Sequence, residues 1–298
     1  MKKVAIVVVT YNRKEMLKKC IQALLEQSYT NYEIIIVDNA STDGTHEYIE
    51  ETLKNSKVTY INTTENLGGA GGFNFGIKKA IQNTDANYIW LMDDDCIAKK
   101  DSLEELINAS QTLNENYGFL SSVVLWKDNT TCEMNKQKIK QPWHKKASYL
   151  QYGLLPTYHA TFVSFFIKRQ TVIEEGLPIK EFFIWGDDVE YSNRISKKQD
   201  SYIVGRSIVV HETKNNEGSN IAKDDIERIG RYKYAYRNEM YIAKKNKAKG
   251  IIRQICKIAL HIGRIIKYSK KYKIRKIIIV LVNSIKGIWF NPKIEYIK

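Results

Sequence analysis

Val4-Ala5-Ile6-Val7-Val8-Val9-Thr10-Tyr11-Asn12-Arg13 is the stretch on which the fold turns. Six apolar residues run without interruption, all but Ala5 β-branched, and then give way to a polar cluster. A continuous run of this kind suits a strand buried on both faces of a parallel sheet. Downstream, Met16, Leu17, Ile21, Leu24 and Leu25 recur at helical spacing and predict a helix over residues 14–27. A second buried strand follows at 33–37. A second helix is expected at 42–53, opened by the cap-like series Asn39-Ala40-Ser41-Thr42-Asp43. Residues 58–62 read as a third strand, 76–82 as part of a third helix and 88–92 as a fourth strand. Strands alternating with helices at this rhythm predict an α/β fold with a doubly wound sheet. Such sheets bind ligands beyond the carboxyl ends of their strands, where the strand order switches.

Every one of these strands leads into polar or glycine-rich sequence: Thr10 to Arg13, Asp38-Asn39, Asn66 to Gly72, and Asp93-Asp94-Asp95. Parallel strands would gather all four clusters on one edge. Three consecutive carboxylates repel one another unless a cation or hydrogen-bond donors compensate. In an extended segment Asp93 and Asp95 point the same way and can grip one divalent ion, with Asp94 facing elsewhere; hard oxygen ligands suit Mg2+ or Mn2+. A solvated acidic turn is the alternative. Asn66-Leu67-Gly68-Gly69-Ala70-Gly71-Gly72 is either a phosphate cradle or a flexible loop, since it fits neither a P-loop nor GxGxxG. Asp38 at a strand end can bond a ribose or a base edge, or serve as a helix cap. The second acidic group, Trp185-Gly186-Asp187-Asp188-Val189-Glu190, precedes a helix-like segment at 189–196. Paired carboxylates beside aromatic residues can raise one pKa toward general-base use, or can simply cap the helix. His211 closes a strand-like run at 207–210, a position equivalent to those of the other clusters.

Charge divides the chain in two. Residues 223–298 carry 21 Lys or Arg against 5 Asp or Glu, and residues 1–222 carry 26 against 28. The basic part calls for an anionic partner, either lipid or nucleic acid. The carboxylate clusters and the lack of a recognised nucleic-acid module argue against nucleic acid. The four cysteines, Cys20, Cys96, Cys132 and Cys256, form no CxxC pair, so reduced cytosolic thiols are expected. The first residues read as strand rather than signal peptide, and no apolar run reaches the roughly 18–20 residues of a membrane span.

Val-Val-Val-Thr-Tyr-Asn-Arg at 7–13, Val-Asp-Asn-Ala-Ser-Thr-Asp-Gly-Thr at 37–45, Glu-Asn-Leu-Gly-Gly-Ala-Gly-Gly-Phe at 65–73 and Trp-Leu-Met-Asp-Asp-Asp at 90–95 occur in this order. Together they resemble the inverting, GT-A-fold family-two glycosyltransferases across roughly residues 1–215. The glycine-rich stretch, the Asp triplet and Asp-Asp-Val-Glu look most like galactofuranosyltransferases; rhamnosyltransferases using dTDP-rhamnose share much of the pattern. The resemblance implies a Rossmann-like, mixed but mostly parallel sheet flanked by helices, forming a catalytic domain at 1–222, with a basic helical region at 223–298. It implies Asp187 as the base, and Asp93, Asp95 and His211 (24 residues after Asp187) as ligands of Mn2+ or Mg2+. It further implies Thr10, Asn12, Arg13, Asp38, Asn66, Asp93 and Asp94 as the donor-nucleotide site, and Trp185 and Asp188 on the acceptor side. The expected donor is a UDP-sugar, best matched by UDP-galactofuranose, and the expected acceptor a glycan or lipid-linked glycan. The chain is shorter than the large polymerising members and is expected to lack their extra N-terminal domain, so processive polymerisation is not expected. A nucleotide-sugar nucleotidyltransferase shares the α/β core, but would place a basic Gly-rich loop where Thr10-Tyr11-Asn12-Arg13 stands.

In the basic region, Ile251, Ile255, Ile258, Ile262 and Ile265 form one helical stripe among Arg253, Lys257, Arg264 and Lys267. Apolar residues at 277–282 and the late aromatics Trp289 and Phe290 extend it. This pattern predicts an interfacial anchor on the anionic inner face of the cell membrane, the alternative being a helix packed on the catalytic domain. Tyr232, Tyr234, Tyr236 and Arg237 are expected to close over the site. A cut after about Asn246 is expected to separate membrane attachment from transfer.

Overall fold

The computed structural model describes residues 1–297; Lys298, the end of the expected basic region, lies outside the described residues. The chain begins β1 (Val4–Thr10), α1 (Lys14–Leu25), β2 (Tyr32–Asp38), α2 (Thr45–Glu47, continued as a π-helical turn over Tyr48–Leu53), β3 (Val58–Asn62), α3 (Gly68–Asn83) and β4 (Tyr88–Asp93). It continues through β5 (Cys96–Ala98), α4 (Ser102–Thr112), β6 (Phe119–Trp126), β7 (Lys138–Ile139), β8 (Leu154–His159), β9 (Phe165–Lys168), α5 (Arg169–Glu175), α6 (Asp187–Ser196) and β10 (Ser201–His211). Four helices follow: α7 (Ile226–Ile229), α8 (Tyr232–Lys245), α9 (Lys247–Tyr268) and α10 (Lys273–Trp289).

Among the described residues ten strands form one sheet in the order β3-β2-β1-β4-β9-β6-β10-β8-β7, with β5 alongside β10. The first four strands in the chain are mutually parallel where they pair. Antiparallel β9 then joins β4 to β6, and β10 runs parallel to β6. The sheet is therefore mixed and mostly parallel in its N-terminal half. Alternation along β1 explains why the run is wholly apolar. Val4, Ile6 and Val8 join one core with Leu17, Ile21 and Leu24 of α1 and Leu103 and Leu106 of α4. Ala5, Val7 and Val9 join the other, with Phe73 and Ile77 of α3 and Tyr191 and Ile195 of α6. Both faces are covered, so neither can be polar.

The glycine-rich stretch is not a flexible loop: from Gly68 on it is the first half of α3. Its glycines at 68, 72 and 76 share one helical face laid directly on other backbone and on the sheet. A Cβ at Gly72 would stand 2.6 Å from Val9 Cγ1, and one at Gly76 would stand 2.4 Å from Val7 Cγ1. The second helix also starts later than expected, at Thr45 after Gly44 in the left-handed region. Asp43 turns instead to α1, where its carboxylate accepts from the Lys14 amide at 2.8 Å.

The charge boundary at 222/223 does not coincide with a gap in packing. Ile221 and Ala222 share a core with Tyr232, Tyr236, Ile265 and Val280, against which Trp185 packs. The Ala222 carbonyl accepts from Ser269 Oγ at 2.7 Å and from Lys276 Nζ at 3.0 Å. Beyond α10 the chain returns to the body formed around the sheet: Phe290 meets the rings of Phe182 and Tyr241, and the Leu177 amide donates to the Glu295 carbonyl at 2.8 Å. Ile258, Ile262 and Ile265 of the predicted stripe face inward, Ile265 fully buried. These three make a packing face, while Ile255 of the same stripe is exposed.

Candidate active site

The carboxyl ends of β1, β2 and β4 lie side by side because the strands are parallel and in register: Thr10 pairs with Asp38, and Val9 with Asp93. His211 reaches this edge from 116 residues downstream of Asp95. It is the last residue of β10 and pairs with Cys96 at the start of β5, one residue after Asp95. The sheet thus places the imidazole against the triplet, and His211 Nε2 stands 3.0 Å from Asp95 Oδ1.

The triplet is not a continuous extended segment. The strand ends at Asp93, and Asp94 and Asp95 occupy a turn. Asp94 therefore does not face away from Asp95: Arg13 Nη1 bridges the two, 3.1 Å from Asp94 Oδ1 and 2.6 Å from Asp95 Oδ2. Thr10 Oγ1 donates to Asp94 Oδ2 at 2.7 Å. Arg13, His211 and the Thr10 hydroxyl supply the compensation that three adjacent carboxylates require. Burial and the charge of Asp95 still push the Asp93 carboxyl up to about 7. Burial raises Asp94 to about 6 despite Arg13. Burial works against the Asp95 carboxylate too, but the His211 bond and charge hold it below its ordinary value. Burial favours neutral His211, yet its bonds to Asp95 and Cys132 and the nearby carboxylates raise it to about 10.

The other side of the His211 ring is fixed by a residue that the sequence did not single out. Its Nδ1 lies 2.7 Å from Asn135 Oδ1, an acceptor, so Nδ1 carries a proton. Asn135 is itself held by Cys132 Sγ at 3.0 Å and donates to Thr161 Oγ1 at 2.9 Å. With Nδ1–H engaged, Nε2 is the nitrogen left for the site, the arrangement in which imidazole ligates a metal. Asp95, Cys96 and His211 have ligand atoms within 4.8 Å of one another. Burial and the surrounding carboxylates push the Cys96 thiol up, and of the three groups the carboxylate oxygen and imidazole nitrogen are the ones suited to a hard cation. Asp93 lies outside this close triad; its charge nonetheless acts on both Asp187 and His211. A donor set of carboxylates with one oriented imidazole fits Mn2+ or Mg2+.

Asp187 begins α6 after Gly186 in the left-handed region. The preceding residues Phe183 and Trp185 also have positive φ, 64° and 65°. Large side chains rarely hold that conformation, which persists only where the surroundings enforce it. Two elements do so. From one side the Ala70 amide at the start of α3 donates to the Phe183 carbonyl at 3.1 Å. Gly68, with φ +71°, passes so close that a Cβ would stand 2.2 Å from that oxygen. From the other side buried Asn238 of α8 donates to the carbonyls of Phe182 at 3.0 Å and Trp185 at 2.8 Å. Tyr234 stacks on Phe183 and Tyr232 meets Trp185 edge-on. These aromatics pack directly on the loop. Asp187 is buried, and burial together with Asp188 and Asp93 raises its pKa well above the carboxylate range. Burial raises Asp188 to about 6.

Three of the expected donor residues have structural partners of their own. Asp38 is wholly buried, accepting from the Ser41 amide at 2.9 Å and from Tyr60 Oη at 2.6 Å. Asn12 Oδ1 accepts from the Thr42 amide at 2.7 Å, tying the loop after β1 to the loop after β2. Asn66 Oδ1 accepts from the Gly68 amide at 2.8 Å at the entry to α3.

Residues 5–174 match the family described as Glycosyl transferase family 2. Galactofuranosyltransferase GlfT1 of Mycolicibacterium smegmatis is 30% identical over 200 residues, which are 64% of this chain and 65% of that protein. The chain thus spans a little under two thirds of that relative's length. The putative teichuronic acid biosynthesis glycosyltransferase TuaG of Bacillus subtilis is 27% identical over 128 residues, 43% of this chain and 49% of its own. Among solved structures, GalNAc-T7 with UDP, GalNAc and Mn2+ superposes with a TM-score of 0.61 at 15% identity, over 80% of this chain and 47% of that one. S. aureus TarS 1–349 superposes with a TM-score of 0.54 at 14% identity, over 96% and 72%. At these identities the two structures bear on the fold alone.

Proposed function

Since the chain belongs to glycosyl transferase family 2, we propose that it transfers a sugar from a nucleoside diphosphate to an acceptor hydroxyl with inversion at the anomeric carbon. The observation that carries this reading is a buried carboxyl, Asp187, within electrostatic reach of Asp93 at the edge where Asp94, Asp95, Arg13 and His211 converge. A carboxyl whose ionised form is held at high free energy takes a proton readily, so Asp187 serves as the base for the attacking hydroxyl. Attack from the Asp187 side, opposite the leaving diphosphate, inverts the anomeric configuration through an oxocarbenium-like transition state. Asp93, Asp95 and His211 would hold Mn2+ or Mg2+, which when bound neutralises charge growing on the leaving diphosphate. Arg13, kept charged by Asp94 and Asp95, offers donors to the same group. Thr10, Asn12 and Asn66 line the nucleotide side, with Asp38 shaping it through Tyr60. Trp185 and Asp188 line the acceptor side.

The donor that fits best is UDP-galactofuranose, supported by the likeness to the mycobacterial galactofuranosyltransferases. The acceptor is a glycan or lipid-linked glycan, and the reaction belongs at the inner face of the cell membrane. Titration with UDP in the presence and absence of Mn2+, followed by turnover on a panel of UDP- and dTDP-sugars, tests the reading. Mn2+-dependent UDP binding and turnover of UDP-galactofuranose are expected. Turnover of dTDP-rhamnose alone would reassign the donor, and failure to bind any nucleotide diphosphate would reject the reading.

A further inference from the structure

The hairpin of α9 and α10 has two apolar sides, and the fold uses only one. Gln254, Ile265, Val280, Ser284 and Gly287 are buried against the rest of the molecule. On the outer side of α10, Ile274, Ile278, Leu281, Ile285, Ile288 and Trp289 recur at steps of three and four and stand in solvent, Ile274 76% and Trp289 74% exposed. Ile252, Leu260 and Ile266 of α9 are exposed as well. A continuous apolar face of this kind marks an interaction surface.

Charge identifies the occupant. Between Glu239 and Glu295 there is no acidic residue, while 15 Lys or Arg occur. Lys267, Lys270, Lys271, Lys273, Arg275 and Lys286 are exposed along this same hairpin. A second copy of the chain docking by this face would bring two such basic sets together without a counter-charge. Nucleic acid would answer the charge but leave the isoleucines in water. Anionic lipid answers both, and no helix among the described residues is long and apolar enough to cross a membrane. We infer that the α9–α10 hairpin lies flat on a bilayer rich in anionic lipid, its outer apolar face in the headgroup region and its basic residues among the headgroups. The inference rests on the proposed membrane-side reaction and gives it a physical reach. α8 packs against α10 and also holds the loop of Phe182 to Trp185, so the docked hairpin sets the orientation of the acceptor side toward the membrane.

The full chain should sediment with vesicles of phosphatidylglycerol and phosphatidylcholine and stay in solution with phosphatidylcholine alone. The difference spectrum against Trp289→Phe should shift to the blue on binding. The double variant Ile278→Glu/Ile285→Glu, at exposed positions, should keep its fold and its transfer to a short soluble acceptor and lose about tenfold or more in partition. Undiminished partition of that variant, equal binding to both vesicle types, or a lipid-free dimer abolished by the same substitutions would overturn the inference. Loss of sugar transfer in the unmodified chain, with vesicle binding intact, would instead strike the proposed reaction.

Discussion

A helix N-terminus ordinarily favours an ionised carboxylate, yet Asp187 in the first turn of α6 has its pKa raised by burial, Asp188 and Asp93. The environment overrides the dipole, which is what a base needs and a cap does not. Asp187→Asn keeps the shape and removes the proton acceptor. Turnover should fall by about 10²–10⁴-fold, while calorimetric donor affinity stays within about threefold. Unchanged turnover would move the base to Asp188 or elsewhere. Asn135 tests the other half of the site. Asn135→Leu removes the acceptor of the His211 Nδ1–H and frees the ring to turn, so Mn2+ affinity should weaken by about 10–100-fold. Asn135→Asp retains an acceptor and should bind Mn2+ more tightly than the Leu variant. His211→Ala should be at least as weak as Asn135→Leu. Superimposable calorimetric titrations for the unmodified chain and Asn135→Leu would leave Asn135 with no part in positioning. The two residues differ sharply in legibility. Asp187 stands in a local acidic motif, whereas Asn135 lies in a polar stretch with no periodicity and gains its role only through a sheet that carries His211 across 76 residues.

At the scale of elements, the strand alternation was readable because burial on both faces leaves its mark in consecutive residues. The Gly-rich stretch was not, because glycine reads as loop unless the partner surface is known. Gly68 is required twice over, by its φ of +71° and by the Phe183 carbonyl against it. Gly68→Ala should therefore lower stability to denaturant by about 2 kcal/mol or more, from left-handed strain and displaced backbone together. Gly69→Ala is the control. No atom stands within 4 Å of its added Cβ, so a neutral change or a gain of up to about 1 kcal/mol is expected. Equal effects from both would mean that α3 does not bear on the loop as described. The same comparison explains why β5, β7, β8, β9 and Asn238 went unread: short antiparallel strands and a buried amide on a distant helix carry no local signature, only tertiary partners.

On the scale of the whole molecule, the division that composition draws and the division that packing draws are different. The excess positive charge begins near residue 223, but α8 supports the loop before Asp187, and α10 lies close enough to α8 that a Cβ on Gly287 would stand 2.5 Å from the Arg237 carbonyl. The returning segment adds Phe290 to the ring cluster of Phe182 and Tyr241, and Glu295 to ion pairs with Lys78 and Lys180 at 2.6 and 3.4 Å. A cut after Asn246 would remove all of these while leaving α8 with one face bare. Losing an aromatic side chain from a core alone costs about 3–5 kcal/mol, comparable with much of a domain's net stability. The truncated chain should therefore melt at a markedly lower temperature, yield to limited proteolysis near residues 176–186, and lose transfer even to a soluble acceptor. The Ile278→Glu/Ile285→Glu chain should do none of these. If the truncated chain keeps its melting temperature and its turnover, residues beyond Asn246 are a separable anchor. If it loses both, residues beyond Asn246 support, through α8, the loop that precedes Asp187.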